Sequence, residues 1–204
     1  MGGAAQGSSA AAGPRISPGR PADVGRINFA IARLIGVATG GGPPHVFTTL
    51  GRHRKLFRRW LYFAGALMPG GKLPRVDTEL LILRVAHITG CEYEWRHHEQ
   101  LGSRAGLSAD DIARVREGAF AEGWSDRQAL LLRAADELHE DGRLSDELWA
   151  ELSSLLSDAD LIELCMLVGH YEMLAMTLNS LGVEPDPLPS GPPSRIVRLL
   201  ERAT

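Results

Sequence analysis

Residues 79–98 read Glu79-Leu-Leu-Ile-Leu-Arg-Val-Ala-His-Ile-Thr-Gly-Cys91-Glu-Tyr-Glu94-Trp-Arg-His-His98, and this stretch predicts two consecutive helices. The first is apolar on most sides, which is typical of a central helix. Gly90 suits a helix end, so the second helix is expected to begin at Cys91. At about 100° per residue, Cys91, Glu94, Trp95 and His98 then share one otherwise apolar stripe. Because burying a carboxylate and an imidazole is costly unless they are paired or used, the stripe predicts either an internal pair or an active site.

Helical spacing continues on both sides of this stretch, and no segment shows sustained strand alternation. We therefore predict an all-α fold of about seven helices in a single domain spanning residues 23–184. Residues 1–22 are rich in Gly, Ala and Pro and are expected to form a disordered tail. Residues 185–204 are expected to form a Pro-rich linker and a short basic helix.

Composition excludes several classes of protein. The 204 residues carry 22 Lys and Arg against 25 Asp and Glu, so we expect no nucleic-acid partner. Neither a signal peptide nor a long uncharged apolar run is evident, so we expect a cytoplasmic protein without a membrane partner. Two cysteines, Cys91 and Cys165, are too few for a disulfide framework.

Four interpretations, three chemical and one structural, would explain the grouping of Glu79, Cys91, Glu94 and His98. General acid–base catalysis needs a Glu and a His whose pKa values are separated by their surroundings. Thiol peroxidase chemistry needs a second cysteine near Cys91, whose own pKa a helix start would lower. A di-iron site would use the Glu94-x-x-His97 spacing but needs a second copy, which the sequence lacks, so no metal is predicted. The fourth possibility is a buried Glu–His pair without turnover.

Further side chains are candidates for contact with substrate. Arg84 on the central helix would hold a carboxylate or pair with Glu79 or with an acid of another subunit. His170 and Tyr171 on a late apolar helix would reach the same pocket or serve in packing. The complete set predicted to bind substrate is Tyr93, Trp95, His97, Arg84, His170 and Tyr171.

The run Cys91-Glu-Tyr-Glu-Trp-Arg-His-His98, followed by Gly106-Leu-Ser108, resembles the carboxymuconolactone decarboxylase and AhpD-like superfamily. The likeness spans roughly residues 24–184. It implies an all-α fold, a cofactor-free site, and assembly into homo-oligomers, often trimers or hexamers. The working set of the alkylhydroperoxidase branch, a glutamate, Cys-x-x-Cys and a histidine, maps onto Glu79, Cys91, Glu94 and His98. A carboxylate therefore replaces the second thiol, which counts against disulfide-based turnover.

The resemblance implies a decarboxylase-like lyase that acts on a small carboxylated or carbon-acid substrate. Glu94 and His98 would move the proton, Glu79 would orient His98, and Tyr93 and Trp95 would exclude water. A thiol-dependent alkylhydroperoxide reductase using Cys91 is the first alternative. A non-catalytic oligomeric binding protein is the second, and it predicts ordinary pKa values at Glu94 and His98.

Overall fold

The computed structural model describes residues 13–39 and 41–187, and these residues form an all-α single domain without strands. Its ten helices are α1 (Pro21–Val24), α2 (Arg26–Thr39), α3 (His45–Leu50), α4 (Arg54–Leu67), α5 (Arg75–Ile88), α6 (Glu92–Ala105), α7 (Ala109–Val115), α8 (Asp126–Asp141), α9 (Asp146–Ser153) and α10 (Asp158–Leu181).

Helix α5 lies at the centre of the bundle and packs against α6, α7, α8 and α10. Its apolar residues from Leu80 to Ala86 are almost completely buried. They divide between two hydrophobic clusters, one shared mainly with α8 and α10 and the other with α6 and α7. A helix that is apolar all round needs neighbours on every side, which explains this central position.

Helix α10 is the longest helix in the described part of the chain. By length and composition it would be able to cross a membrane, yet half of its most apolar window is buried inside the bundle. A core helix has the same properties, so this feature alone is weak evidence for a membrane span. Here α10 carries His170 and Tyr171 into the interior, where both side chains are buried.

Local capping sets the ends of the late helices. Ser108, Ser125 and Ser157 each accept a hydrogen bond from a backbone N–H and form capping boxes. Gly90 ends the α5 segment with a positive φ of 62°, a conformation that glycine adopts without steric penalty. The chain therefore turns sharply before Cys91, and this turn places α6 beside α5.

The described residues contain more helices than the seven predicted. Residues 45–67 keep helical apolar spacing throughout, yet they form two helices, α3 and α4, separated by residues 51–53. Gly25, with φ 86°, likewise separates α1 from α2. Apolar spacing continues across both breaks, so periodicity did not reveal them.

The N-terminal tail predicted for residues 1–22 is too long. Arg15 N donates to Leu181 O and Gly19 N donates to Thr48 O, so the described residues 13–22 lie against the bundle. Residues 1–12 lie outside the described part of the chain. Of the predicted C-terminal linker, the described residues 185–187 are held by Asp186, which accepts a hydrogen bond from His45 N at 2.7 Å. The predicted basic helix lies outside the described residues.

Candidate active site

The centre of the site is a buried pair formed by Glu79 of α5 and His98 of α6. Nδ1 of His98 lies 2.7 Å from Oε2 of Glu79, and the two side chains are 5% and 0% exposed. Arg75, one turn earlier on α5, places Nη2 2.8 Å from Oε1 of Glu79 and balances its charge. If His98 donates its Nδ1 proton to Glu79, its neutral ring presents Nε2 as an acceptor.

Glu94 lies one turn before His98 and is 2% exposed. Neither of its carboxylate oxygens has a hydrogen-bond partner of good geometry among the described residues. Burial raises the pKa of Glu94 to about 8, the neighbouring Cys91 thiol partly opposes this rise, and Glu172 adds to it. Glu94 is therefore mostly protonated at neutral pH.

Cys91 precedes α6 and is 1% exposed. Burial, with a smaller contribution from the nearby Glu94 carboxyl, raises the pKa of the thiol to about 12. The sequence-based expectation that the helix start would lower this pKa is therefore wrong, because desolvation outweighs the favourable backbone contacts. Cys165 on α10 is half-buried, and both cysteines are free thiols.

Tyr171 and His170 bring α10 to this cluster. The Tyr171 ring packs edge-on against His98 at 5.2 Å between centroids and against His170 at 5.0 Å. Burial raises the pKa of the Tyr171 phenol, and the nearby Glu94 and Glu79 carboxylates add to this rise. The geometry thus collects all four predicted catalytic side chains, with these two predicted binding residues, in one buried cluster.

Polar atoms without partners accumulate here. Besides the Glu94 oxygens, Nδ1 of His170 is buried without a hydrogen bond among the described residues. Nε2 of the same ring accepts from Nε1 of Trp60 at 2.9 Å, so a neutral His170 carries its proton on Nδ1. Among the described residues, the Tyr171 hydroxyl donates only to the weak acceptor Sδ of Met68, at 3.6 Å. Unsatisfied buried groups are rare, and their clustering is typical of a functional site.

Two predicted substrate contacts do not belong to this cluster. Trp95 lies in the second hydrophobic cluster, with Arg116 over its ring and His87 edge-on to it. Arg84 does not pair with Glu79. It forms a bidentate ion pair with Asp136, at 2.6 and 3.1 Å, and also donates to Val115 O. Both side chains therefore hold helices together rather than face the catalytic cluster.

Tyr93 and His97 lie on the other flank of His98, beside a cavity of about 1060 Å³. Their rings are stacked, and His97 also packs edge-on against His98. Burial and the adjacent His98 lower the pKa of His97 to about 4. The Tyr93 hydroxyl donates a hydrogen bond to the Asp186 carboxylate at 2.6 Å. This bond holds the segment around Asp186 against α6.

Some residues of the site escaped the sequence analysis. Arg75 stands four residues before Glu79, a spacing that indicates a helical ion pair and was available as a signal. Trp60 and Met68 carry no such signal, because their contacts with α10 join residues more than a hundred positions apart. Within the described residues, no group of three or more His, Cys, Asp or Glu side chains is placed to hold a metal ion.

Comparisons with known proteins concern the family and the fold of the chain. The sequence model of the Carboxymuconolactone decarboxylase family matches residues 54–137, which include Glu79, Cys91, Glu94 and His98. No curated protein sequence matches the chain. The fold resembles the crystal structure of an uncharacterized peroxidase-related protein with an alkylhydroperoxidase AhpD core from Ralstonia eutropha JMP134. The TM-score is 0.73 at 18% identity, over 84% of this chain and 93% of that one.

Two further structures share the fold. An uncharacterized peroxidase-related protein from Silicibacter sp. TM1040 has a TM-score of 0.69 at 16% identity, over 79% of this chain and 84% of that one. The debrominase Bmp8 has a TM-score of 0.70 at 14% identity, over 92% of this chain and 96% of that one. The family match covers the segment that carries the cluster, and the fold agrees with the AhpD-like structures, so both findings support a place in the carboxymuconolactone decarboxylase and AhpD-like superfamily.

Proposed function

We propose that the protein is a cofactor-free enzyme of the decarboxylase or lyase type, which moves a proton on a small carboxylated or carbon-acid substrate. The observation that carries this proposal is the contrast between two carboxyl groups of one cluster. Glu79 pairs with Arg75 and His98, whereas Glu94 has no cationic partner among the described residues, lies beside the Cys91 thiol, and has a pKa of about 8. Two titratable groups in such different surroundings suit the roles of charged orienting group and neutral acid.

Each residue has a distinct part in this mechanism. Glu79 orients His98 through Nδ1, so Nε2 is left to accept a proton from the substrate. Glu94 donates its proton to the carbon on which charge develops. Tyr171, packed on His98 in the same cluster, excludes water from this exchange.

For a carboxylated substrate the step balances without a cofactor. The bond to the carboxylate carbon breaks, carbon dioxide leaves, and the electron pair stays on the remaining carbon. Glu94 protonates that carbon and becomes a carboxylate, and Nε2 of His98 then takes a proton from water and passes it to Glu94, which restores both groups and releases hydroxide. For a carbon acid without a carboxylate, His98 removes the proton and Glu94 returns one at another position, after which His98 passes its proton to Glu94 and both groups are restored.

Thiol chemistry at Cys91 is the second candidate. Its support is the interaction between the Cys91 thiol and Glu94, a carboxylate that would accept the thiol proton. The structurally similar debrominase Bmp8 has also been crystallised as a cysteine-to-alanine variant in complex with 2,3,4-tribromopyrrole. The raised pKa of Cys91 and the absence of a second cysteine at position 94 count against this route here. The raised pKa of Glu94 counts against a non-catalytic binding protein.

The test measures two reactions in parallel on four proteins. Carbon dioxide release from a carboxylated muconolactone, and consumption of an alkyl hydroperoxide with a thiol reductant, are followed for wild type, Glu94→Gln, His98→Ala and Cys91→Ser. We expect decarboxylation to fall by about 10²-fold or more in the first two variants and to persist in Cys91→Ser.

A matched control is Glu92→Gln, which neutralises an exposed carboxylate on the same helix that pairs with Arg96. It should leave both rates unchanged. Hydroperoxide turnover that disappears in Cys91→Ser would instead establish thiol chemistry. Decarboxylation unaffected by His98→Ala would contradict the proposed mechanism.

A further inference from the structure

The solvent-exposed face of helix α10 is apolar along most of the helix. Between positions 161 and 178, the exposed residues are all apolar or glycine, and they form what we call the α10 stripe: Ile162, Met166, Gly169, Met173 and Met176. Its four large side chains are 47–65% exposed. The outer face of a helix in a soluble protein normally carries charged or polar residues, so this stripe indicates a contact surface.

Rotation of α10 within the domain cannot bury the stripe. The opposite face of the helix is already fixed in the core, where Leu164, Leu167 and Val168 are at most 1% exposed. On the same inner side, the Tyr171 ring packs against His98 at 5.2 Å between centroids. Turning the helix would expose this face and break that contact. The molecule that covers the stripe must therefore approach from outside the helix bundle.

The spacing of the stripe matches the seam between two packed helices. Its members follow one another at intervals of four, three, four and three residues. Such intervals keep a row of side chains facing a neighbouring helix that crosses at a small angle, roughly 20°. The stripe therefore fits another helix better than a small ligand.

The order of residues along the stripe is nearly symmetric about Gly169. Ile162 and Met176 lie seven residues before and after this glycine, and Met166 and Met173 lie three before and four after it. Two copies of α10 packed antiparallel about Gly169 would therefore place Met166 of one protomer against Met173 of its partner. Such a contact is self-complementary, as a two-fold interface requires.

Gly169 itself points to a close approach from outside. Glycine is unfavourable in the middle of a helix, so a glycine there usually serves a packing need. A Cβ atom at position 169 would meet nothing within 4 Å, so contacts inside the chain do not require a glycine at this position. A second backbone crossing over Gly169 would provide the reason.

The exposed apolar area is sufficient for a stable pair. Leu155 lies seven residues before Ile162 and is 48% exposed, and Leu56 of α4 is 59% exposed and lines one apolar groove together with Met173. With the four large residues of the stripe, these side chains expose on the order of 600 Å² per chain. Two copies would then bury about 1,200 Å², the lower limit for specific stable interfaces.

The charges of α10 disfavour a membrane surface as the occupant. Helices that lie on membranes usually carry Lys or Arg beside the apolar face, where these side chains meet anionic headgroups. Helix α10 contains neither residue, and its charged side chains are acidic: Asp158, Asp160, Glu163 and Glu172. A second copy of the chain needs no such cations.

We propose that a second copy of this chain packs on the α10 stripe, with the two α10 helices antiparallel and crossing at Gly169. The contact is isologous and related by a two-fold axis. It does not depend on the proposed catalytic function, because it uses the face of α10 opposite to Tyr171.

Sedimentation velocity of the full-length protein over a dilution series tests the contact. We expect an even-numbered oligomer. Met166→Lys places a charge in the seam and should raise the dissociation constant by about ten-fold or more. The matched control is Leu34→Lys on α2, where the leucine is 72% exposed and lies outside the stripe, and it should associate as wild type does. A monomeric wild type, or an equal loss in both variants, would overturn the proposal.

Gly169→Leu separates a helix crossing from general stickiness. The leucine enlarges the apolar surface and enters open space, so the fold should persist, but it should block the close approach of two helices. We expect a dissociation constant raised by about ten-fold or more. Equal or tighter association would contradict a crossing at Gly169. Flotation with phosphatidylcholine vesicles tests the membrane, and wild-type binding that Met166→Lys abolishes would assign the stripe to lipid instead.

Cysteine cross-linking reports the orientation of the two helices. Met166→Cys and Met173→Cys are prepared separately with Cys165→Ser in both, then mixed and oxidised. Antiparallel packing predicts that the disulfide forms mainly between the two different variants, since a disulfide needs Cα atoms within about 7 Å. Dimers in which each variant links mainly to itself would indicate parallel packing and refute the proposed arrangement.

Discussion

Nδ1 of His98 lies 2.7 Å from Oε2 of Glu79, although 19 positions separate the two residues in the chain and they belong to different helices. The sharp turn at Gly90 folds α6 back against α5 and brings the side chains together. Because both are almost fully buried, the pair is held in a single arrangement and fixes which ring nitrogen of His98 is free.

Replacing this carboxylate tests its orienting role. Glu79→Gln keeps the size of the side chain but allows His98 to adopt the other tautomer, so kcat should fall by about 10²-fold with little change in KM. Steady-state kinetics on the reaction established for the wild type gives both constants. The matched control is Asp77→Asn, a buried α5 carboxylate that pairs with Arg127 outside the cluster. An equal loss in both variants would indicate a folding defect rather than loss of orientation.

The raised pKa of Glu94 predicts how stability depends on pH. In the folded state this pKa is about 8, against 4.5 for the ordinary group, so between these values the folded state holds a proton that the unfolded state has released. The contribution of Glu94 is therefore fully present below about pH 4.5 and is lost as pH rises through 8. Its slope is at most about 1.4 kcal/mol per pH unit.

Urea unfolding of wild type and Glu94→Gln between pH 5 and 9 measures this contribution directly. The variant should lack the decline that Glu94 causes, so its stability relative to wild type should increase toward high pH. Parallel pH profiles for the two proteins would mean that Glu94 ionises normally.

Thiol accessibility distinguishes the two cysteines. Cys91 is 1% exposed with a pKa of about 12, whereas Cys165 is half-buried. Since the thiolate is the reacting form, iodoacetamide at pH 8 should modify Cys165 first and leave Cys91 intact until the protein unfolds. Peptide mass spectrometry after timed quenching reports both rates. Rapid labelling of Cys91 in the native protein would contradict this expectation and support thiol chemistry at Cys91.

Arg84 should prove structural. Its guanidinium is 13% exposed and holds Asp136 and the carbonyl of Val115. Arg84→Met leaves Asp136 without its cation and should lower the free energy of unfolding by about 3 kcal/mol. Turnover per folded molecule should remain near wild type. A variant that loses turnover but keeps its stability would instead show that Arg84 acts in catalysis or substrate binding.

The sequence predicted the fold class and much of the site because both depend on local patterns. The serine capping boxes and Gly90 define helix ends, and helical spacing places Glu94 and His98 one turn apart. The same spacing placed Trp95 on the stripe of Glu94 and His98. Consecutive residues of a helix point about 100° apart, so Glu94 and Trp95 can face different neighbours. Trp95 faces α7, where Arg116 covers its ring.

What the sequence by itself determined is therefore the all-α class, the central position of α5 and the local grouping of Cys91, Glu94 and His98. These follow from apolar periodicity and backbone preferences within one or two helical turns. Only the tertiary structure decided that Glu79 bonds to His98, that Arg84 is engaged with Asp136, and that Trp60 donates a hydrogen bond to His170 beside the cluster. Such contacts depend on how distant helices pack, and the same packing removes the water that would otherwise leave Glu94 and Cys91 with ordinary pKa values.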